Sequence, residues 1–226
     1  MPGFGKYVVY YWNTAYGLGG CGSANEGDIK GTVSNKVYVC ENNVWLEARY
    51  REKYCFENEC KYFVDSRDNQ RYAYVVIGEQ TWMADNLNYN IKNSKCYDDL
   101  DSNCDIYGRL YDWETALTVC PYGWHLPTNE EWKVMTDYIG ERTAGAKLKA
   151  TSGWHNNGNG TDEYGFSALP GGGFEGVGLD GYWWSANLEY DGSDIASCLY
   201  MRYRDDYANF CNYSGGALLS VRCLQD

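Results

Sequence analysis

Ten cysteines, an even number, run through this chain of 226 residues beside only two histidines and without a single C-x-x-C pair. Zinc sites need closely spaced thiol or imidazole pairs, so the cysteines are read as disulfides; the alternative is free thiols in a reducing cytosol. Neighbour logic pairs Cys21 with Cys40, Cys55 with Cys60, Cys96 with Cys104 and Cys198 with Cys211. Cys120 with Cys223 ties the ends of a long span, and closing about 100 residues stabilises the fold by on the order of 4–5 kcal/mol. Such a frame points to an oxidising compartment, and the expectation is a secreted or surface-attached protein. Met1-Pro2-Gly3-Phe4 does not open an export leader, so a signal or anchor is expected to have been removed. No apolar run is long enough to span a membrane.

Acidic residues number 31 against 19 basic, for a net charge of −12, and no basic cluster offsets them. Nucleic acid is therefore excluded as a partner, because phosphate contacts need Lys and Arg. The best-bounded element is a helix capped by Thr128, with Glu131 supplying the return half of a capping box. Trp132, Met135 and Ile139 form its apolar stripe, and Gly140 stands where a left-handed C-cap is wanted. Asp112 is the cap of a second helix carrying Trp113, Ala116 and Leu117, stopped by Cys120-Pro121. Residues 61–65 and 71–78 read as a strand pair across a polar turn, and the chain closes on a strand at Leu218-Leu219-Ser220-Val221-Arg222-Cys223. Two main helices, short antiparallel strands and long Gly/Asn-rich loops make residues 61–226 an α+β domain. Residues 1–60 read as a small β-rich disulfide module, built on a hairpin of 36–40 and 44–48 across Glu41-Asn42-Asn43.

Several multi-residue motifs in residues 61–226 resemble the Fibrobacter succinogenes major paralogous domain. They are Gly78-Glu79-Gln80-Thr81-Trp82-Met83-Ala84-Asp85-Asn86-Leu87-Asn88, Tyr107-Gly108-Arg109-Leu110-Tyr111-Asp112-Trp113, the capped helix, Gly165-Phe166-Ser167-Ala168-Leu169-Pro170-Gly171-Gly172 and Ser220-Val221-Arg222-Cys223. A shorter stretch, His125-Leu126-Pro127-Thr128-Asn129-Glu130-Glu131-Trp132, is similar to the R-L-P-T-x-x-E-W helix of formylglycine-generating-enzyme-type domains. That second resemblance implies a C-type-lectin-like fold.

Candidate sites follow from the text between these motifs. Asp99, Asp101 and Asn103 have the spacing that opens an EF-hand, but Cys104 stands where glycine belongs and Leu110 where glutamate belongs, so the loop is read as a solvated acidic loop. Asn156, Asn157, Asn159 and Asp162 lie among glycines and offer oxygens to a structural Ca²⁺ of the kind lectin-like domains carry; Asx-turns alone are the alternative. No catalytic set is nominated: His125 is read as a packing residue, His155 has no nucleophile at a recognisable spacing, and the carboxylates are too scattered to choose a pair. The 23 tyrosines and 9 tryptophans instead suggest display for binding, with Trp183, Trp184, Tyr190, Tyr200, Arg202, Tyr207 and Asn209 as the candidate ligand-binding residues. Placing Cys198 opposite Cys211 sets Tyr200 opposite Asn209 and Met201 opposite Ala208. Leu199, Met201 and Tyr203 should then be buried while Tyr200 and Arg202 are displayed.

The leading expectation is thus a non-catalytic binding module that recognises carbohydrate or a surface protein. A subunit of a self-associating surface filament or pseudopilus, and a formylglycine-generating-type oxidase, are the alternatives. Residues 187–216 also resemble, in their Tyr/Asn/Asp/Ser text, the variable regions of lectin-like proteins diversified by retroelements.

Overall fold

The computed structural model describes residues 61–173 and 176–226 in full, and 29–31, 37–41 and 44–47 by their backbone. The chain divides into two compact units, residues 1–60 and 61–226. In the first, strands β1 (Ile29–Gly31), β2 (Val37–Glu41) and β3 (Val44–Glu47) form an antiparallel sheet. Glu41 pairs with Val44, so β2 and β3 form the hairpin that the sequence predicts. The pairings Cys21–Cys40 and Cys55–Cys60 lie outside the described residues.

The second unit is α+β. Its strands are β4 (Lys61–Val64), β5 (Arg71–Ile77), β6 (Gln80–Met83) and β7 (Ser94–Lys95). Helix α1 (Asp101–Tyr107), β8 (Leu110–Tyr111), α2 (Trp113–Val119), β9 (Trp124–His125), α3 (Asn129–Ile139) and α4 (Ala144–Leu148) follow. Strands β10 (Asp180–Leu188), β11 (Ile195–Arg202), β12 (Asn209–Ser214), β13 (Leu219–Ser220) and β14 (Leu224–Gln225) complete it. One sheet runs β4-β5-β6-β14-β9 and the other β12-β11-β10-β13-β8-β7.

Local chemistry sets the two anticipated helices. The Asp112 side chain accepts from the Thr115 amide at 2.9 Å. The Thr128 hydroxyl accepts from the Glu131 amide while the Glu131 carboxylate accepts from the Thr128 amide at 2.7 Å, which completes the capping box. Gly140 has φ 109° and ψ 104°, a positive φ outside the left-handed helical well expected there. Helices α1 and α4 are additions; α1 grows out of the acidic loop that was expected to stay irregular.

The six-stranded sheet has a core on each face. Trp183, Leu199 and Met201 point into a cluster with Trp82, Trp132, Met135, Ile139 and Phe166. Tyr182, Trp184, Ala196 and Cys198 point into a second cluster with Tyr111, Ala116, Val119, Leu219 and Val221. Central β10 is thereby covered on both faces, which is why Tyr182-Trp183-Trp184 is a continuous buried aromatic run instead of an alternating one. Three disulfides pair as expected: Cys96–Cys104, Cys120–Cys223 and Cys198–Cys211.

Candidate functional site

The β11–β12 pairing places Cys198 opposite Cys211 and Tyr200 opposite Asn209, the last pair of the ladder at that end. Leu199 and Met201 are fully buried, as expected. The opposite face is more covered than the alternation predicts, because Cys198 is also fully buried and Tyr200 is half-buried. Tyr182 of β10 explains this: its ring lies 5.8 Å from that of Tyr200 and 5.6 Å from that of Tyr213. Arg202 stacks over the Tyr200 ring at 4.7 Å. The Tyr182 hydroxyl donates to Asp180 Oδ2 at 3.1 Å and is also hydrogen-bonded by Arg202 and Tyr213. Burial raises the Tyr182 phenol far above its ordinary range, so it stays neutral. The result is a half-exposed patch of Tyr200, Arg202, Asn209 and Tyr213, resting on a rigid floor of Tyr182 and the Cys198–Cys211 bridge.

Other candidates separate. Trp183 and Trp184 are fully buried, with indole N–H groups donating to Asn86 Oδ1 at 2.8 Å and to the Tyr111 carbonyl at 2.7 Å; they are core, not contact residues. Tyr190, 65 % exposed, sits in the turn before β11, whereas Tyr207, 46 % exposed, sits in the turn after it. The eight residues of β11 put those turns roughly 26 Å apart, too far for one small ligand. Tyr207 belongs to the Tyr200 end. Its turn is clamped onto the neighbouring loops: a β-carbon on Gly158 would stand 2.1 Å from the Tyr203 carbonyl oxygen, and one on Gly145 2.2 Å from that of Tyr207.

Two of the calcium candidates take part in hydrogen bonds of their own loop. Asn159 Oδ1 accepts from the Trp154 amide at 2.9 Å, and the buried Asp162 carboxylate accepts from both the amide (2.6 Å) and the hydroxyl of Ser167. Asn156 and Asn157 are exposed, at positive φ, in a short 3₁₀ turn. A buried cation at this end of the molecule, the Lys149 ammonium, donates to the carbonyls of Arg202 (3.1 Å) and Asp205 (2.8 Å). Burial lowers its pKa, opposed by Asp206 and Asp205.

His125 is not a packing residue. Nδ1 lies 2.7 Å from Asp226 Oδ1 and Nε2 3.0 Å from Glu131 Oε1, and only an imidazolium can donate to both. Burial disfavours its charge, but the hydrogen bonds it donates to Asp226 and Glu131 outweigh burial and raise its pKa. No nucleophile belongs to this bridge.

One buried network escaped the sequence reading. Asn86 Nδ2 donates to the Tyr107 carbonyl at 2.7 Å, and Oδ1 accepts from Arg222 Nε at 2.8 Å as well as from Trp183. The Arg222 guanidinium also donates to the carbonyls of Phe166 and Ser167 (2.9 Å to the latter) and stacks on the Phe166 ring at 4.2 Å. A polar Asn inside Trp82-Met83-Ala84-Asp85-Asn86-Leu87 and an Arg inside Ser220-Val221-Arg222-Cys223 were the available signal.

The sequence profile of the Fibrobacter succinogenes major domain matches residues 75–225, from β5 to β14. The chain belongs to that family. No curated protein and no solved structure matches it. The family's recognisable motifs meet in the Asn86–Arg222 network, so they specify the domain's interior. The tyrosine patch draws instead on the text between motifs.

Proposed function

We propose that this member of the Fibrobacter succinogenes major domain family is a non-catalytic binding module of lectin-like architecture. It acts outside the cell or at its surface, and it recognises carbohydrate or a surface protein. The observation that carries the reading is the half-exposed patch of Tyr200, Arg202, Asn209 and Tyr213 on an immobile floor. Rings with two torsions and a polar tip give contact area at low entropic cost, and a rigid support lowers that cost further. No helix among the described residues is long and apolar enough to cross a membrane, and the disulfides are compatible with an oxidising compartment.

The test is a polysaccharide array together with a panel of purified bacterial surface proteins, probed with the parent chain and with Arg202→Gln and Tyr207→Ala. Both variants should keep the parent melting temperature within a few degrees and lose binding to whatever the parent retains. Retention of full binding by both variants ends the reading, and so does a parent chain that binds neither class.

A further inference from the structure

On the far edge of the six-stranded sheet the loop between β7 and α1 borders a groove of about 350 Å³, within the size range of small-ligand sites. Tyr97, Leu110, Ala217 and Leu218 line it, together with the exposed Asp98 and Asp99. We propose that this groove extends the binding face described above and accepts an uncharged sugar ring; the inference rests on the reading of the chain as a binding module.

Tyr97 is fixed by covalent and steric means. The loop is closed by Cys96–Cys104, and the Asn103 side-chain amide donates to the Tyr97 carbonyl at 2.8 Å. The Tyr97 ring abuts Gly172, where a β-carbon would stand 2.7 Å from Cε2. Gly172 itself has φ 78°, so two independent constraints require glycine there. The ring is therefore backed on one side and half-exposed toward the groove, the geometry in which an aromatic side chain offers its face to the apolar C–H face of a pyranose. Asp98 and Asp99, both exposed, can accept hydrogen bonds from sugar hydroxyls, and a charged acceptor makes these stronger than neutral ones.

Gly173 joins this groove to the tyrosine patch. It lines the groove, and a β-carbon on it would stand 2.7 Å from the Tyr182 ring that underlies Tyr200. Gly173 is thus the residue shared by the groove and the floor of the patch. Charge chooses among sugars. The lining carries two carboxylates against the single ammonium of Lys95, on a chain of net charge −12, so a carboxylated or sulfated sugar meets repulsion.

The experiment is calorimetric titration of the full chain with tetrasaccharides of β-1,4-linked glucose, xylose and mannose, with a galacturonate tetrasaccharide and with a trilysine peptide. At least one neutral tetrasaccharide should bind, Tyr97→Ala should weaken it about tenfold, and Asp98→Asn with Asp99→Asn should weaken it several-fold. The galacturonate probe should bind at least tenfold more weakly than the best neutral one. Should Tyr97→Ala disturb the loop's fold, the exposed aspartate pair carries the test alone. Neutral-sugar binding that survives the Tyr97 and aspartate variants but is lost in Arg202→Gln overturns the groove and leaves the module reading intact. Trilysine binding in place of sugar, or no neutral probe bound by a chain that binds a surface protein, also overturns the groove alone.

Discussion

Removing the Asn86 side chain should be among the most damaging single truncations in the domain, and the structure gives the size. Asn86→Ala deletes a hydrogen bond from the charged Arg222 Nε, about 1.5–3 kcal/mol, and two short neutral ones, from Trp183 and to the Tyr107 carbonyl, at about 1 kcal/mol each, besides a long one to Ser220 Oγ at 3.4 Å. The partners are buried and cannot recover water, so the loss comes to about 3.5–5 kcal/mol, a large fraction of the roughly 5–15 kcal/mol that holds a typical domain together. Trp183→Phe removes only one donor and leaves Asn86 Oδ1 bound to Arg222, so it should cost about 1–2 kcal/mol. Asn86→Asp keeps both accepted bonds and loses the one donated to Tyr107, and should fall between the two. Guanidinium unfolding followed by tryptophan fluorescence, with disulfides intact, measures the order through the midpoints. An Asn86→Ala midpoint within about 1 kcal/mol of the parent would show that the network does not hold the motifs together.

Thr128→Ala should cost about 1 kcal/mol through the lost cap, and Trp132→Ala about 3–5 kcal/mol through the cavity between Trp82 and Phe166. The Trp132 indole N–H finds no acceptor among the described residues, so Trp132→Phe should cost less than Trp132→Ala; equal unfolding midpoints for those two variants would contradict the packing. For His125, a pKa raised above 6.5 means its contribution is complete below pH 6.5 and fades as pH rises through the folded value. Glu131 is held below its ordinary 4.5, where burial is outweighed by bonds from Thr128 and His125, so its contribution is present above pH 4.5 and lost as pH falls. Stability from this bridge should therefore plateau between about pH 4.5 and 6.5, with an amplitude of about 0.2–1 kcal/mol because the groups are half-exposed. His125→Gln should abolish the alkaline decline, and urea midpoints across pH 5–9 check it. Lys149→Met should loosen the turn after β11 by removing the donor to the Arg202 and Asp205 carbonyls, read as faster amide exchange at residues 203–207 with little change elsewhere.

What the sequence disclosed and what it withheld divide along the range of the interactions. The capping box needs only Thr128 and Glu131, and the β11–β12 register needs only two cysteines and the period of a strand, so both were legible. Alternation also states which residues share a face. It does not state whether that face is covered, and this is where the binding residues were misplaced: Trp183 and Trp184 sit on a central strand with a core on either side, and Cys198 lies beneath a second layer. The Asn86–Arg222 bond spans 136 positions and has no local period to betray it. The same reasoning explains why the patch lies where it does. Tyr200 is the last residue of β11 paired to β12, and the second core thins there to Tyr182 and Tyr213, so the aromatic row emerges from cover at the end of the sheet. A surface formed where a packed layer runs out inherits the rigidity of the layer beneath it. Substitutions at Tyr207 and Asn209 can alter this surface without disturbing the motifs that fold the domain.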